Sequence, residues 1–260
     1  MKNPENINVG VLQMKLEWEN PSVNRNFIDV KLAEFQGELD LLVLPEMFST
    51  GFTMKPESVA ETMDGETVQW MKRKAAEYNI SIAGSLVISE NGNFYNRLIV
   101  ADVSGNLSQY DKRHLFTLSG ENERYTSGNN RVIVKVGAFR ICLQICYDLR
   151  FPAFSRFNDD YDALVYVANW PAPRILAWET LLKARAIENI SYVIGVNRIG
   201  SDPNGLEYTG QSQIVDFAGN ALIQAFGEGG IFVAQLDKTD LDTFRKKFGF
   251  LDDRDEITVR

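Results

Sequence analysis

The pattern of apolar and polar positions predicts an α/β chain in which strands and helices alternate. Ten short apolar runs have the length and the Val, Ile and Leu content of strands, and several are continuous enough to be covered on both faces. They are residues 7–14, 39–44, 80–89, 94–102, 131–136, 139–145, 163–169, 192–197, 212–217 and 230–236. Glycine-containing turns join some of them back to back, as at Asn91-Gly92, which predicts hairpins and therefore mixed sheets.

Helix signals complete the predicted architecture. Asn20-Pro21 combines a capping residue with a proline at the first helical position and predicts a helix to about residue 35. Apolar residues at helical spacing predict a second helix around residues 68–78 and a third over residues 175–190. Ten strands with about four helices predict two mixed sheets packed together with helices outside, a four-layer α-β-β-α sandwich.

Composition and charge restrict the class of protein. The 260 residues are 45% hydrophobic, which suffices for one large core, and we expect residues 1–260 to form a single domain. Residues 238–260 are expected to be a tail that contacts a partner. The chain has no apolar run of about 18 residues and no apolar leader at its N-terminus. The net charge is −8 without a basic block, so we expect neither nucleic acid nor membrane as a partner.

The cysteine and histidine counts narrow the possible chemistry. Cys142 and Cys146 are the only cysteines, and we expect free thiols in a reducing cytoplasm. The only histidine is His114, whereas zinc sites draw on several His or Cys ligands, and the usual serine and cysteine hydrolases need a histidine base. The chain must therefore use His114 as its base or find a proton acceptor of another kind.

The most informative segment is residues 143–152, where an apolar strand ends at Cys146 and a polar turn follows. A thiol at such a junction faces free backbone N–H groups, which favour the nucleophilic thiolate. The alternative is that Cys146 is a small buried hydrophobe. Asp148 and Arg150 are close enough along the chain to form an ion pair that braces the turn.

Two further charged residues lie beside apolar runs. Glu46 follows an apolar run and a proline, so it is either a surface charge or a partly buried general base. Lys112 lies in a basic stretch that is either a solvated turn or an inward-pointing ammonium able to hold an oxyanion. His114, two residues further on, either serves as the base of a Cys–His pair or orients neighbouring loops. Glu46, Cys146 and Trp170 all follow predicted strands, where α/β sheets bind ligands.

Three motifs occur in an order that resembles the nitrilase superfamily of carbon–nitrogen hydrolases. They are Leu-Pro-Glu-Met-Phe with Glu46, Asp-Lys-Arg-His-Leu-Phe with Lys112, and Ile-Cys-Tyr-Asp-Leu-Arg-Phe-Pro with Cys146. The resemblance implies an α-β-β-α sandwich, a homodimer or larger assembly, and a Glu–Lys–Cys catalytic set without metal or organic cofactor. It also implies that Glu121 holds the lysine, although Glu123 is close by in the sequence.

Other segments are similar to the bacterial ω-amidases: Asn169-Trp170-Pro171, residues 178–189 and residues 120–126. That similarity implies hydrolysis of the terminal amide of 2-oxoglutaramate or 2-oxosuccinamate, which releases ammonia. In the implied mechanism Cys146 attacks the amide carbon and Glu46 carries the proton. Lys112 and the backbone N–H of Tyr147 form the oxyanion hole.

An ω-amide substrate carries a carboxylate at its far end, so its pocket needs a cation. Arg174 is the candidate, and the alternative is a solvated residue that opens the third helix. Phe48, Phe116 and Trp170 either form walls of the site or belong to the core. The same scaffold also serves deaminated glutathione, N-carbamoyl amino acids, aliphatic amides, nitriles and acyl transfer. A non-catalytic interaction protein and a metal-dependent phosphodiesterase are rival classes.

Overall fold

The computed structural model describes residues 3–258, which contain thirteen strands and seven α-helices. The strands are β1 (Asn6–Gln13), β2 (Leu41–Val43), β3 (Ser81–Glu90), β4 (Asn93–Ala101), β5 (Leu107–Asp111), β6 (Ile133–Val136), β7 (Phe139–Ile145), β8 (Ala163–Ala168), β9 (Tyr192–Asn197), β10 (Ile199–Ser201), β11 (Glu207–Val215), β12 (Ala221–Phe226) and β13 (Gly230–Asp237). The helices are α1 (Pro21–Glu34), α2 (Pro56–Val59), α3 (Glu66–Tyr78), α4 (Glu121–Arg124), α5 (Pro152–Ser155), α6 (Ile175–Asn189) and α7 (Lys238–Phe248).

The strands form two mixed sheets. The first has the order β13-β1-β2-β3-β4-β5, and the second has the order β10-β11-β9-β8-β7-β6 with β12 paired to β11. The centre of each sheet is parallel: β1, β2 and β3 in the first, and β7, β8 and β9 in the second. In the second sheet the register aligns Leu143 with Val165 and Val165 with Ile194. The remaining strands pair antiparallel.

Side-chain alternation along the strands separates the core into layers. Val9 and Val11 of β1 face the second sheet, whereas Leu12 faces the opposite side with residues of α1 and α3. On the outer face of the second sheet, α6 packs through Trp178 and Leu182. Each large side chain buried in this way contributes about 1.5–3 kcal/mol. These four layers confirm the predicted α-β-β-α sandwich.

A glycine allows α6 to lie close to the second sheet. A Cβ at Gly195 of β9 would fall 2.4 Å from Leu182 and 3.0 Å from Trp178. No side chain larger than hydrogen fits there without a shift of the helix. This close approach places the beginning of α6 beside the carboxyl end of β8, where the candidate site lies.

Every predicted strand run overlaps an observed strand, and the three predicted helices correspond to α1, α3 and α6. The apolar pattern did not predict β5, β10, β12, α7 and three one-turn helices. The segment that was expected to be a tail begins with α7, which packs on its own chain. Lys238 and Arg245 of this helix bind the buried Asp162, and Phe244 contacts Phe217 at 4.9 Å between ring centroids. Within residues 3–258 no helix is both long and apolar enough to cross a bilayer.

Candidate active site

The strand ends place the three motif residues around one cavity. Glu46 follows β2, Lys112 follows β5 and Cys146 follows β7, and all three line a cavity of about 440 Å³. The cavity lies at the carboxyl ends of parallel strands from both sheets, because Glu46 comes from the first sheet and Cys146 from the second. The structure therefore brings together residues that are up to 100 positions apart in the sequence.

A buried cluster of charges surrounds Lys112. Its Nζ lies 2.9 Å from Oε1 of Glu46, and 3.1 and 2.9 Å from the two carboxylate oxygens of Glu121. All three side chains are buried. Burial alone would lower the pKa of Lys112, but the attraction of Glu121 and Glu46 outweighs it and raises that pKa. Glu123, the alternative partner in the sequence, is exposed. Glu121 is thus the second carboxylate on this lysine.

Asn96, which no sequence motif indicated, joins the two glutamates. Its Nδ2 donates to Oε1 of Glu46 at 2.7 Å and to Oε1 of Glu121 at 3.2 Å. The backbone N–H of Asn169 donates to the other oxygen of Glu46 at 2.8 Å. Both oxygens of Glu46 are therefore held by donors. The available signal was an asparagine just before the apolar end of β4, which the structure buries.

Cys146 begins a 3₁₀ turn with a strained backbone. Its φ of +43° lies in the left-handed region, which costs a residue other than glycine about 1–2 kcal/mol. Such a turn at the end of a strand directs the side chain out of the sheet and into the cavity. The strain is the local cost of directing the thiol into the cavity.

Asp148 fastens this turn, and it does so without Arg150. Its carboxylate accepts hydrogen bonds from the Tyr110 hydroxyl at 2.7 Å, from the His114 backbone N–H at 3.0 Å and from the Ile145 backbone N–H at 2.9 Å. The predicted ion pair with Arg150 is wrong, because the 3₁₀ turn directs the buried Asp148 inward while Arg150 remains exposed on the cavity wall.

His114 supports the same turn from outside the cavity. Its Nδ1 lies 2.8 Å from Oδ1 of Asp148, and its ring stacks on Phe151 with 3.9 Å between centroids. It is not among the residues that line the cavity. The geometry therefore corresponds to the orienting alternative for this histidine and not to a Cys–His pair.

The surroundings of Cys146 favour its neutral thiol over the thiolate. Burial raises its pKa well above 9.0, and the negative charges of Glu46 and Glu121 raise it further. Lys112 and the backbone N–H of Asn169 act in the opposite direction, but they do not compensate. A backbone N–H does act in favour of the thiolate, as expected, but burial and the two carboxylates outweigh it.

The cavity wall contains most of the predicted substrate-binding residues. Tyr147, Phe116, Trp170 and Arg174 line it together with Arg150. The full lining also includes Trp18, Glu19, Phe52, Thr53, Met54, Lys55, Ser119, Asn169, Pro171, Asp202, Pro203, Asn204, Leu206 and Tyr208. Within residues 3–258 no group of three or more His, Cys, Asp or Glu side chains is arranged to hold a metal ion.

Phe48 is the exception, and its assignment to the cavity wall is wrong. The backbone turns at Met47, whose φ is +46°, and Phe48 points into the outer core of the first sheet. There its ring contacts Trp70 at 6.0 Å between centroids and fills the space above Gly84. Phe52 lines the cavity instead, with its ring 5.1 Å from Nζ of Lys112.

Comparisons with known proteins agree with this arrangement. Residues 8–246 match the family model for carbon–nitrogen hydrolases. The chain is 41% identical to Omega-amidase YafV from Escherichia coli strain K12, covering 97% of this chain and 98% of that protein. It is 32% identical to 2-oxoglutaramate amidase from Bacillus subtilis, covering 94% and 96% of the two chains. The crystal structure of XC1258 from Xanthomonas campestris, a CN-hydrolase superfamily protein with an arsenic adduct in its active site, superposes with a TM-score of 0.95 at 36% identity, covering 98% and 99%. This chain belongs to the carbon–nitrogen hydrolase family and is a hydrolase of carbon–nitrogen bonds, as its motifs predicted.

Proposed function

We propose that this protein is an ω-amidase, which hydrolyses the terminal amide of 2-oxoglutaramate or 2-oxosuccinamate to ammonia and a 2-oxo dicarboxylate. The observation that carries the proposal is the cavity in which Glu46, Lys112 and Cys146 meet beside an arginine, Arg174. A primary amide reacts with the first three groups, and a distant carboxylate needs the fourth. The relatives named as omega-amidase and 2-oxoglutaramate amidase support the same substrate class.

Acylation begins with attack of the Cys146 sulfur on the amide carbon. Because the thiol is protonated, Glu46 accepts its proton as the sulfur–carbon bond forms. The carbonyl oxygen gains negative charge, which Lys112 and the backbone N–H of Tyr147 stabilise. Glu46 then returns the proton to the nitrogen, the carbon–nitrogen bond breaks and ammonia leaves. The acyl group remains on Cys146 as a thioester.

Deacylation uses the same groups in the second half of the reaction. Glu46 accepts a proton from water, the resulting hydroxide attacks the thioester carbon, and the same oxyanion hole holds the oxygen. The carbon–sulfur bond breaks, the sulfur recovers its proton, and the free acid departs. Glu121, at 2.9 Å from the ammonium of Lys112, keeps that group charged and oriented throughout.

The first test separates the glutamate base from the histidine alternative. We expect Glu46→Gln to lose nearly all amidase activity and His114→Ala to keep most of it, because His114 contacts Asp148 and not the cavity. Ammonia release is the readout. A folded His114→Ala protein without activity would favour a Cys–His mechanism instead.

The second test identifies the substrate. Ammonia release should be fastest with 2-oxoglutaramate or 2-oxosuccinamate in a panel that also holds glutamine, deaminated glutathione and carbamoyl-β-alanine. A higher kcat/KM with deaminated glutathione or carbamoyl-β-alanine would assign the chain to another amidase activity of the scaffold. Mass spectrometry should detect an acyl adduct on Cys146, and failure to find either adduct or ammonia would favour a non-catalytic interaction protein.

We also propose a homodimer or larger assembly in which the segment after residue 238 contacts a second copy. Phe248 and Phe250 support this, since their side chains are 40% and 62% exposed next to each other. Light scattering after size exclusion should give at least twice the mass of one chain. Phe248→Asp with Phe250→Asp should lower this mass, and a single-chain mass for the unmodified protein would contradict the proposal.

The two free cysteines support a location in the reducing cytoplasm.

A further inference from the structure

Two guanidinium groups on the cavity wall have no acidic partner among residues 3–258. Arg150 and Arg174 both line the cavity that contains Cys146. Within the described part of the chain, neither side chain forms an ion pair or a hydrogen bond, and each contacts an aromatic ring instead. The guanidinium carbon of Arg150 lies 5.0 Å from the centre of the Trp170 ring, and that of Arg174 lies 5.3 Å from the centre of the Phe116 ring.

Trp170 connects the two arginines. Its ring lies under Arg150, and its Nε1 donates a hydrogen bond to the backbone oxygen of Arg174 at 2.7 Å. Asn197 holds the Trp170 backbone from both sides, accepting from its N–H at 2.8 Å and donating to its carbonyl at 2.9 Å. The ring also packs against Trp178 of α6. Trp170 is therefore held rigidly, and it supports the guanidinium of Arg150 and the backbone of Arg174.

The chemistry of a stacked guanidinium favours a carboxylate ligand. An arginine that lies on an aromatic face keeps the N–H groups at its edge available, and those groups match the two oxygens of a carboxylate. Arg150 ends the same 3₁₀ turn that begins with Cys146, so it projects from one turn beyond the nucleophile. Arg174 precedes α6, whose N-terminal end also favours an anion.

We propose that Arg150 and Arg174, supported by Trp170, bind one and the same carboxylate at the far end of the substrate. Arg150 is then a specificity-determining residue, although its sequence position suggested only an ion pair with Asp148. The inference rests on the proposed amidase function and names its substrate class: short linear amides that carry a carboxylate at the opposite end. Lys55 also lines the cavity without an ion pair to any residue of 3–258, but its ammonium lies on no aromatic ring of that range.

The test is a kinetic comparison of Arg150→Gln, Arg174→Gln and the double variant on three amides. 2-Oxoglutaramate has the carboxylate and the 2-oxo group, glutaramate has only the carboxylate, and pentanamide has neither. Each single variant should raise KM for the first two amides roughly tenfold to a hundredfold, the range of a charge-assisted contact, and leave pentanamide within about threefold. The double variant should raise KM by less than the product of the single effects, because both arginines bind one group.

Lys55→Gln is the matched comparison, since it also removes a cation from the cavity wall. A KM increase as large as that of Arg150→Gln would mean that total charge at the cavity, and not the supported pair, sets the preference. The proposal would also be overturned if Arg150→Gln left the KM of the two carboxylate-bearing amides unchanged, raised the KM of pentanamide equally, or raised only that of 2-oxoglutaramate. A double variant whose KM increase equals the product of the two single increases would do the same.

A binding measurement separates this inference from the proposed reaction. Calorimetry with Cys146→Ala needs no turnover, and the ligand is 2-oxoglutarate, the dicarboxylate product. Adding Arg150→Gln to Cys146→Ala should weaken its binding roughly tenfold or more, and unchanged binding would overturn the inference. If the unmodified enzyme releases no ammonia from any amide, the proposed function fails, whereas the calorimetry still decides the role of Arg150.

Discussion

Replacing Asp148 with asparagine tests whether one buried carboxylate holds the turn that carries Cys146. The substitution keeps the size of the side chain and removes its charge. Oδ1 of Asp148 faces two groups of His114, the backbone N–H at 3.0 Å and Nδ1 at 2.8 Å. Oδ2 faces the Tyr110 hydroxyl at 2.7 Å and the Ile145 backbone N–H at 2.9 Å. In either orientation of the new amide, its NH₂ group replaces one of these oxygens and faces the two groups that were hydrogen-bonded to that oxygen.

The expected loss follows from those contacts. Hydrogen bonds to a charged acceptor contribute about 1.5–3 kcal/mol each, so two lost bonds correspond to about 3–6 kcal/mol. The Tyr110 hydroxyl can rotate to accept one bond from the new amide, which reduces the net loss to about 2–4 kcal/mol. For a chain of this size that loss lowers the Tm by about 5–15 °C. The amidase kcat should fall as well, because the turn that presents Cys146 loses its anchor.

Urea unfolding and ammonia release measure the two effects. Tyr110→Phe is the matched control: it removes the hydroxyl that donates to Asp148 and accepts from the Arg113 backbone N–H at 3.3 Å, and it leaves the carboxylate with its remaining donors. Its cost should be about 1–2 kcal/mol, which is less than that of Asp148→Asn. A decrease of less than about 1 kcal/mol for Asp148→Asn would refute the argument that this carboxylate is the anchor.

Three further predictions concern the thiols and Glu121. Iodoacetamide at neutral pH should modify Cys146 before the fully buried Cys142, and peptide mapping that finds the reverse order would contradict the site description. Glu121→Gln should lower kcat roughly tenfold to a hundredfold with little change in KM, because Glu121 contacts Lys112 and does not line the cavity. Burial raises the pKa of Cys142 from 9.0 to about 11, so the folded state keeps a proton that the unfolded chain releases. The resulting stability is fully present below pH 9.0 and is lost as the pH rises through about 11. Over that interval the free energy of unfolding of Cys142→Ala, measured with urea, should fall by about 2–3 kcal/mol less than that of the unmodified protein. Equal decreases in the two proteins would be evidence against this linkage.

The elements that the sequence predicted are those with a buried face. All six residues of β8 are buried, so its run of apolar residues is unambiguous. β12 lies at a sheet edge with exposed residues at both ends, and its pattern is correspondingly weak. α7 escaped prediction for a similar reason, since Leu241 is its only fully buried residue among charged neighbours. The apolar pattern of the sequence therefore predicts best those strands and helices that bury the most apolar surface.

The site was predictable where chemistry coincided with a strand end and not where it depended on a long-range contact. Cys146 and Glu46 stand directly after apolar runs, which singles them out. Asn96 acts across 50 positions of sequence on Glu46, and no local feature specifies that contact. Phe48 was misassigned because the positive φ at Met47 reverses the side to which the next residue points. Arg150 was paired with a near neighbour because the 3₁₀ turn that separates them is invisible in the sequence.

The charge count of the cluster explains how the proposed reaction proceeds without a histidine. The proposed reaction starts with Lys112 positive, Glu46 and Glu121 as carboxylates and the thiol neutral, which gives the cluster one net negative charge. A thiolate formed before the attack would add a second negative charge. Burial and the two carboxylates oppose that thiolate, because they raise the pKa of Cys146. In the proposed attack Glu46 becomes neutral as the substrate oxygen becomes negative, so the net charge stays the same. The donors around Glu46 and Lys112 are already in place for both states, and little reorganisation of a buried site is then required.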